Sequence, residues 1–112
     1  MGNMTCIFSP VPPKYQNFGG RGMTSRMVAD EVPPKCDPIG SENKIIIAPG
    51  ILSGTSAPSS GRLSVGAKSP LTGGIKEANA GGLTAQKLGK LGIKAVIIEG
   101  KPKTNDWYNL LI

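Results

Sequence analysis

Residues 49–82 read PGILSGTSAPSSGRLSVGAKSPLTGGIKEANAGG. Eleven of these 34 positions are Gly or Pro, and most of the rest are Ser, Thr, Ala or an isolated basic side chain. A structureless loop of this length is unusual in a compact domain, and such loops are usually functional or disordered. The composition favours function. Gly permits close backbone approach, Ser, Thr and free amide groups offer hydrogen-bond donors, and Arg62, Lys68 and Lys76 set positive charge at intervals. The stretch therefore reads as an anion cradle, most naturally for phosphate. Within it Arg62 to Lys68 alternates, with Leu63, Val65 and Ala67 on one side and Arg62, Ser64 and Lys68 on the other. That predicts a half-buried strand with one polar face. Ser69 to Gly74 turns the chain, and Ile75 to Ala78 leads into Asn79-Ala80-Gly81-Gly82.

Working outward, Lys44 to Ala48 is a short β-branched apolar run that predicts a buried strand ending at Pro49-Gly50. Before it, Gly19-Gly20-Arg21-Gly22 precedes a helix over about 22–32, with Met23, Met27 and Val28 on one face and Pro33-Pro34 as its stop. This glycine turn suits an anion near the positive helix end, or is a tight turn with a solvated arginine. Residues 4–11 predict a brief edge strand broken by Pro10, Pro12 and Pro13. Beyond the cradle, Thr84 is set to cap a second helix over about 84–91, and Gly92 suits its exit. Ile93 to Gly100 is the clearest strand, and Trp107 to Ile112 reads as a last one. The apolar ending suggests that the chain continues or pairs with a partner. The order of elements predicts an α+β domain with mixed strand pairing.

Composition narrows the chemistry. The chain has 112 residues, net charge +6, two cysteines and no histidine. One small domain is expected. Serine–histidine and cysteine–histidine catalysis within this chain are excluded. Cys6 and Cys36 fit no zinc or iron–sulfur spacing and read as reduced thiols of a cytoplasmic protein. No signal peptide or membrane-spanning run is visible. Gly61-x4-Gly66-Ala67-Lys68-Ser69 imitates a P-loop, but Ala67 separates Gly from Lys, and Pro70 and Gly73-Gly74 forbid the helix that must follow.

Four blocks, GGRGMTSRMVADEVPP (19–34), DPIGSENKIIIAPGILSGTSAPSSGR (37–62), KSPLTGGIKEANAGG (68–82) and KLGIKAVIIEGKP (90–102), occur in an order and spacing that resemble the start of the tungsten-containing aldehyde:ferredoxin oxidoreductase family. The resemblance implies that residues 1–112 form one partial amino-terminal domain, the first half of a duplicated α+β base on which a tungsten bis-pyranopterin lies. It implies pterin contacts at Arg62 and at Asn79-Ala80-Gly81, and a magnesium ion between the pterin phosphates served by Asn79. Arg21 and Gly22 are further carried-over positions. No catalytic residue is expected in this chain. The family's 4Fe–4S cluster has no ligand block here, since Cys-x-x-Cys-x-x-x-Cys is absent.

By the same resemblance the partners are the remainder of the oxidoreductase, ferredoxin and an aldehyde, with neither nucleic acid nor membrane. A half-domain also leaves strand edges open, so self-association into a homo-oligomer is expected. Two rival readings stand beside this one. One is a non-enzymatic remnant that binds no metal. The other is a basic nucleic-acid-binding protein, which the dispersed charges and the lack of any RNP, KH or zinc-knuckle pattern disfavour.

Overall fold

The computed structural model describes residues 9–16, 18–37, 40, 42–56 and 61–99. A single turn of 3-10 helix, Pro13–Tyr15, leads into helix α1, Gly20–Glu31. Strands β1 (Lys44–Pro49), β2 (Arg62–Lys68) and β3 (Ile75–Gly81) follow, then helix α2 (Thr84–Lys90) and strand β4 (Val96–Glu99). The strands form one sheet in the order β3-β2-β1-β4, and each neighbouring pair is antiparallel. The α+β class expected from the sequence is the one observed, but the expected mixed pairing is not: β1, β2 and β3 follow one another without a helical crossover, and β4 returns beside β1 in the opposite direction, so every pairing among the described strands is antiparallel.

Helix α1 begins two residues earlier than its periodicity predicts and ends at Glu31, ahead of Pro33-Pro34. Its buried face is Met23, Thr24, Met27 and Val28, and it packs with Tyr15, Val32, Cys36, Ile46 and Ala48 into one core. Each fully buried Met or Ile contributes about 1.5–3 kcal/mol.

The side of the sheet that α1 covers is the reverse of what alternation in β2 predicts. Ser64, Gly66 and Lys68 are buried, while Leu63, Val65 and Ala67 are only half-buried. Two features make the polar face packable. A Cβ at Gly66 would come within 2.8 Å of Thr24 Cβ, so glycine lets the helix sit directly on the strand. The hydroxyls of Thr24 and Ser64, both 0% exposed, hydrogen-bond to each other at 2.9 Å and so lose no partner on burial. The opposite face carries Ile45, Ile47, Leu63, Val65, Ala67, Val96 and Ile98, all exposed or half-buried. Lys44–Ala48 is thus not the fully buried strand its apolar run predicts, since Ile45 remains 45% exposed.

Three further differences concern boundaries. β3 is not marked by its composition: Lys76, Glu77, Ala78 and Asn79 have low strand propensity, but the 69–74 turn returns them antiparallel along all seven residues of β2. β4 is only four residues long, because 93–95 are irregular. Thr84 is the first residue of α2 and not its cap, which is Leu83 with no side-chain hydrogen bond. The exit of α2 is as predicted: Gly92, with φ +76°, donates to Gly89 O, and Ile93 N donates to Leu88 O at 3.0 Å. The strands expected at 4–11 and 107–112 lie at or beyond the margins of the described residues.

Tyr15 ties the start of the domain to α1. Its hydroxyl donates to Asp30 Oδ2 at 3.2 Å, and Arg26 Nε donates to the same oxygen at 2.9 Å. The Arg26 hydrogen bond holds the Asp30 carboxyl below the usual range. Burial, aided by the charge of Glu31, raises the Tyr15 phenol above its ordinary value. A raised phenol contributes stability that is intact below the unfolded-state value and lost as pH rises through the folded one. Melting temperature should therefore fall beyond about pH 10, and Tyr15→Phe should flatten that alkaline limb in a thermal scan. An equally steep limb in the variant would assign the loss to other groups.

Candidate cofactor site at the hairpin end

Gly50, Gly61, Gly81 and Gly82 lie at one end of the sheet, away from the 69–74 turn. There β1 ends at Pro49, β2 begins at Arg62, β3 ends at Gly81, and the first turn of α1 lies against Gly50. Gly50 N donates to Arg62 O at 3.2 Å, which joins the exit of β1 to the entry of β2.

The β2–β3 register settles which predicted residues meet. Arg62 is the cross-strand partner of Gly81, and Ser64 is the partner of Asn79. Cross-strand partners point to the same face, so Arg62, Asn79 and Gly81 share one face of the hairpin end. Ala80, paired with Leu63, belongs to the other face. Arg62 and Asn79 are exposed, and nothing lies within 4 Å of a Cβ built on Gly81 or Gly82. Gly61 is the tight point, where a Cβ would lie 2.9 Å from Gly82 O.

Arg21 reaches the same hairpin from the helix. Its Nε lies 3.4 Å from Glu77 Oε2, with the arginine side chain 72% exposed. Glu77 and Asn79 are two residues apart on β3 and share the face of Arg62. Gly22 is placed differently, since a Cβ there would meet Phe18 Cδ1 at 3.4 Å.

The other two charges assigned to the cradle are elsewhere. Lys68 is buried at the far end of β2 and donates to Pro34 O and Cys36 O, each at 2.6 Å. Lys76 is exposed on the face opposite Glu77. Sequence reasoning missed Glu77, Ser64 and Thr24. The alternation of Glu77, Asn79 and Gly81 was the available signal, had β3 been recognised as a strand.

A cavity of about 200 Å³ opens beside this end, lined by Phe18, Gly19, Pro49–Ile51, Ser53, Gly89 and Gly92–Lys94. It excludes Arg62, Asn79 and Gly81, which form an open shelf. A shelf suits a large flat group better than a cleft of that size. Among the described residues no group of three or more His, Cys, Asp or Glu is placed to hold a metal ion, and Cys36 is free and buried. No helix there is long and apolar enough to cross a membrane.

The family model described as aldehyde ferredoxin oxidoreductase, N-terminal domain, matches residues 1–111. The chain belongs to that family. Tungsten-containing aldehyde ferredoxin oxidoreductase from Thermococcus kodakarensis is 48% identical over 84 residues, 75% of this chain and 14% of that enzyme. The Pyrococcus abyssi enzyme of the same name is 51% identical over the same shares. Among solved structures, the active-site complex BamBC of benzoyl coenzyme A reductase with 1,5-dienoyl-CoA matches with TM-score 0.72 and 35% identity, over 76% of this chain and 13% of that one. The chain thus corresponds to about one seventh of these aldehyde ferredoxin oxidoreductases, at the domain that gives the family model its name.

Proposed function

We propose that this chain is the amino-terminal, cofactor-cradling part of a tungstopterin oxidoreductase. The observation that carries the reading is the β2–β3 register, which sets Arg62 opposite Gly81 with Asn79 on the same face, before open space. A tungsten bis-pyranopterin, when bound, supplies the two-electron oxidation of an aldehyde with water to a carboxylic acid. The residues of this chain hold that group. Arg62 presents a planar fork of donors to a pterin phosphate. Asn79 offers oxygen to a hard cation such as magnesium between phosphates. Gly81 and Gly82 leave room for a flat ring system to lie against the strand end.

Nothing in this chain is proposed as a general acid or base. The 4Fe–4S cluster, the docking of ferredoxin and the substrate pocket belong to the remainder of the oxidoreductase. The half-exposed apolar face of the sheet and the exposed edge strand β3 fit a domain covered by more polypeptide. The relatives support a cofactor role over a substrate role. One kind is named for aldehydes and the other for benzoyl coenzyme A, yet both match this chain. A domain common to enzymes of different substrates suits holding a shared type of group. A cytoplasmic setting goes with the free thiol of Cys36.

Anaerobic, non-denaturing purification with tungsten, molybdenum, iron and pterin analysis tests the proposal. Tungsten and pterin together with a longer polypeptide are expected. Arg62→Ala should lower pterin content by about tenfold or more, the weight of a hydrogen bond to a charged group, and Arg62→Lys should lower it less. Absence of metal and of a larger partner would instead make the chain a remnant that keeps the family's residues without its activity.

A further inference from the structure

We infer that Glu77 is a positioning residue for a second arginine of this site: anchored by the buried hydroxyl of Ser64, it fixes the Arg21 guanidinium partway along the hairpin on the face of Arg62, so that an extended anionic group on the shelf meets Arg62 from the strand end and Arg21 from the helix. The inference rests on the proposed reading of that end as a phosphate-binding shelf.

The proton count gives the chain of contacts a direction. The Ser64 hydroxyl donates to Glu77 Oε1 at 2.9 Å. Ser64 has one proton, so in the 2.9 Å contact between the two hydroxyls Thr24 is the donor. The alternative acceptor for Thr24 is Arg21 O, at 3.2 Å in its own helical turn. Thr24 and Ser64 are both fully buried, whereas the Glu77 side chain is 15% exposed and that of Arg21 72%. A rigid interior pair therefore holds a carboxylate at the surface, and the carboxylate holds a solvent-exposed arginine. Glu77 meets Arg21 through Nε, which leaves the terminal guanidinium nitrogens for a ligand. Glu77 and Gly81 are four residues apart on β3, about 14 Å along the strand, with Arg62 opposite Gly81. Arg21 is held at the Glu77 end of that span and the Arg62 side chain starts from the Gly81 end, so the anion they share is an extended one, as pyrophosphate is.

A carboxylate beside an anion site has two opposing effects. Its charge repels the ligand. Its tether removes rotamer freedom that Arg21 would otherwise lose on binding. The sign of the response to Glu77→Gln separates them, because glutamine is isosteric and keeps an acceptor for Ser64.

Calorimetric titration with inorganic pyrophosphate, alongside NMR of the arginine Nε–H groups, tests the inference on the full chain. Wild type should show slow exchange at Arg21 Nε–H. Glu77→Gln and Ser64→Ala should both speed that exchange and weaken pyrophosphate binding about two- to fivefold, the scale of one exposed ion pair. Unchanged or tighter binding in Glu77→Gln, or an unaltered Arg21 exchange rate, overturns it. Pyrophosphate binding unaffected by Arg62→Ala sinks the shelf reading instead, and the exchange rate in Glu77→Gln still decides the tether.

Discussion

Gly89→Ala is expected to lower the melting temperature by about 10 °C or more, against the trend of helix propensity. Gly89 lies inside α2, where Ala is favoured over Gly by about 1 kcal/mol. On an isolated helix the substitution would stabilise. Here a Cβ would lie 2.1 Å from Ser53 O, 2.6 Å from Ser53 C and 3.0 Å from Gly54 N. All three are backbone atoms, so no side chain can turn aside. Gly54, with φ +84°, is equally close from its own side, where a Cβ would fall 2.7 Å from Gly89 C. The helix rests backbone to backbone on the turn after β1, and Gly54 N donating to Gln86 Oε1 at 2.5 Å clamps the two together. Relieving the clash means lifting α2 and losing that bond as well as the burial of Ala85 and Leu88. Overpacking alone costs about 1–3 kcal/mol, and the broken clamp brings the net loss to about 2–3 kcal/mol. Urea denaturation compared with Gly74→Ala provides the check, since the nearest atom to a Cβ at Gly74 is Thr72 Oγ1 at 3.8 Å. Equal stability of the two variants would mean that α2 does not sit on the turn.

The same contact shows where sequence reasoning reached its limit. Apolar spacing found α1, and local chemistry found the Gly92 exit of α2, because both depend on residues within a few positions of each other. Whether Gly89 serves as a helix residue or as a bearing surface depends on Ser53, far away in the chain. The inverted burial of β2 has the same origin. Alternation separates Leu63, Val65 and Ala67 from Ser64, Gly66 and Lys68, but only the seating of α1 decides which set is covered. Of the candidate residues named from the sequence, Arg62, Asn79 and Gly81 share a face. The geometry of the site is not legible in the sequence, because it depends on the pairing of β3, whose composition gives little strand signal. Glu77 stayed hidden for that reason.

By charge alone Lys68 belongs to the anion cradle, but the fold gives it a different task whose loss should be large. The residue is 9% exposed, and its ammonium donates to Pro34 O and Cys36 O at 2.6 Å each. Asn43 brackets its backbone, accepting from Lys68 N at 3.1 Å and donating to Lys68 O at 3.0 Å. The segment leaving α1 is thus pinned to the end of β2 by one cation and one amide. Lys68→Met keeps most of the stem's packing but strands two carbonyls that now receive charge-assisted bonds. Each such group costs about 1–3 kcal/mol when left unpaired, partly offset because a buried ammonium is no longer desolvated. A net loss of about 2–3 kcal/mol is expected, together with faster labelling of the Cys36 thiol in a Cys6→Ser background as its cover loosens. Pyrophosphate binding should change little at temperatures where the variant stays folded, because Lys68 stands at the opposite end of β2 from Arg62. The reverse pattern, with anion affinity lost and both stability and Cys36 protection intact, would return Lys68 to the cradle and remove it from the core.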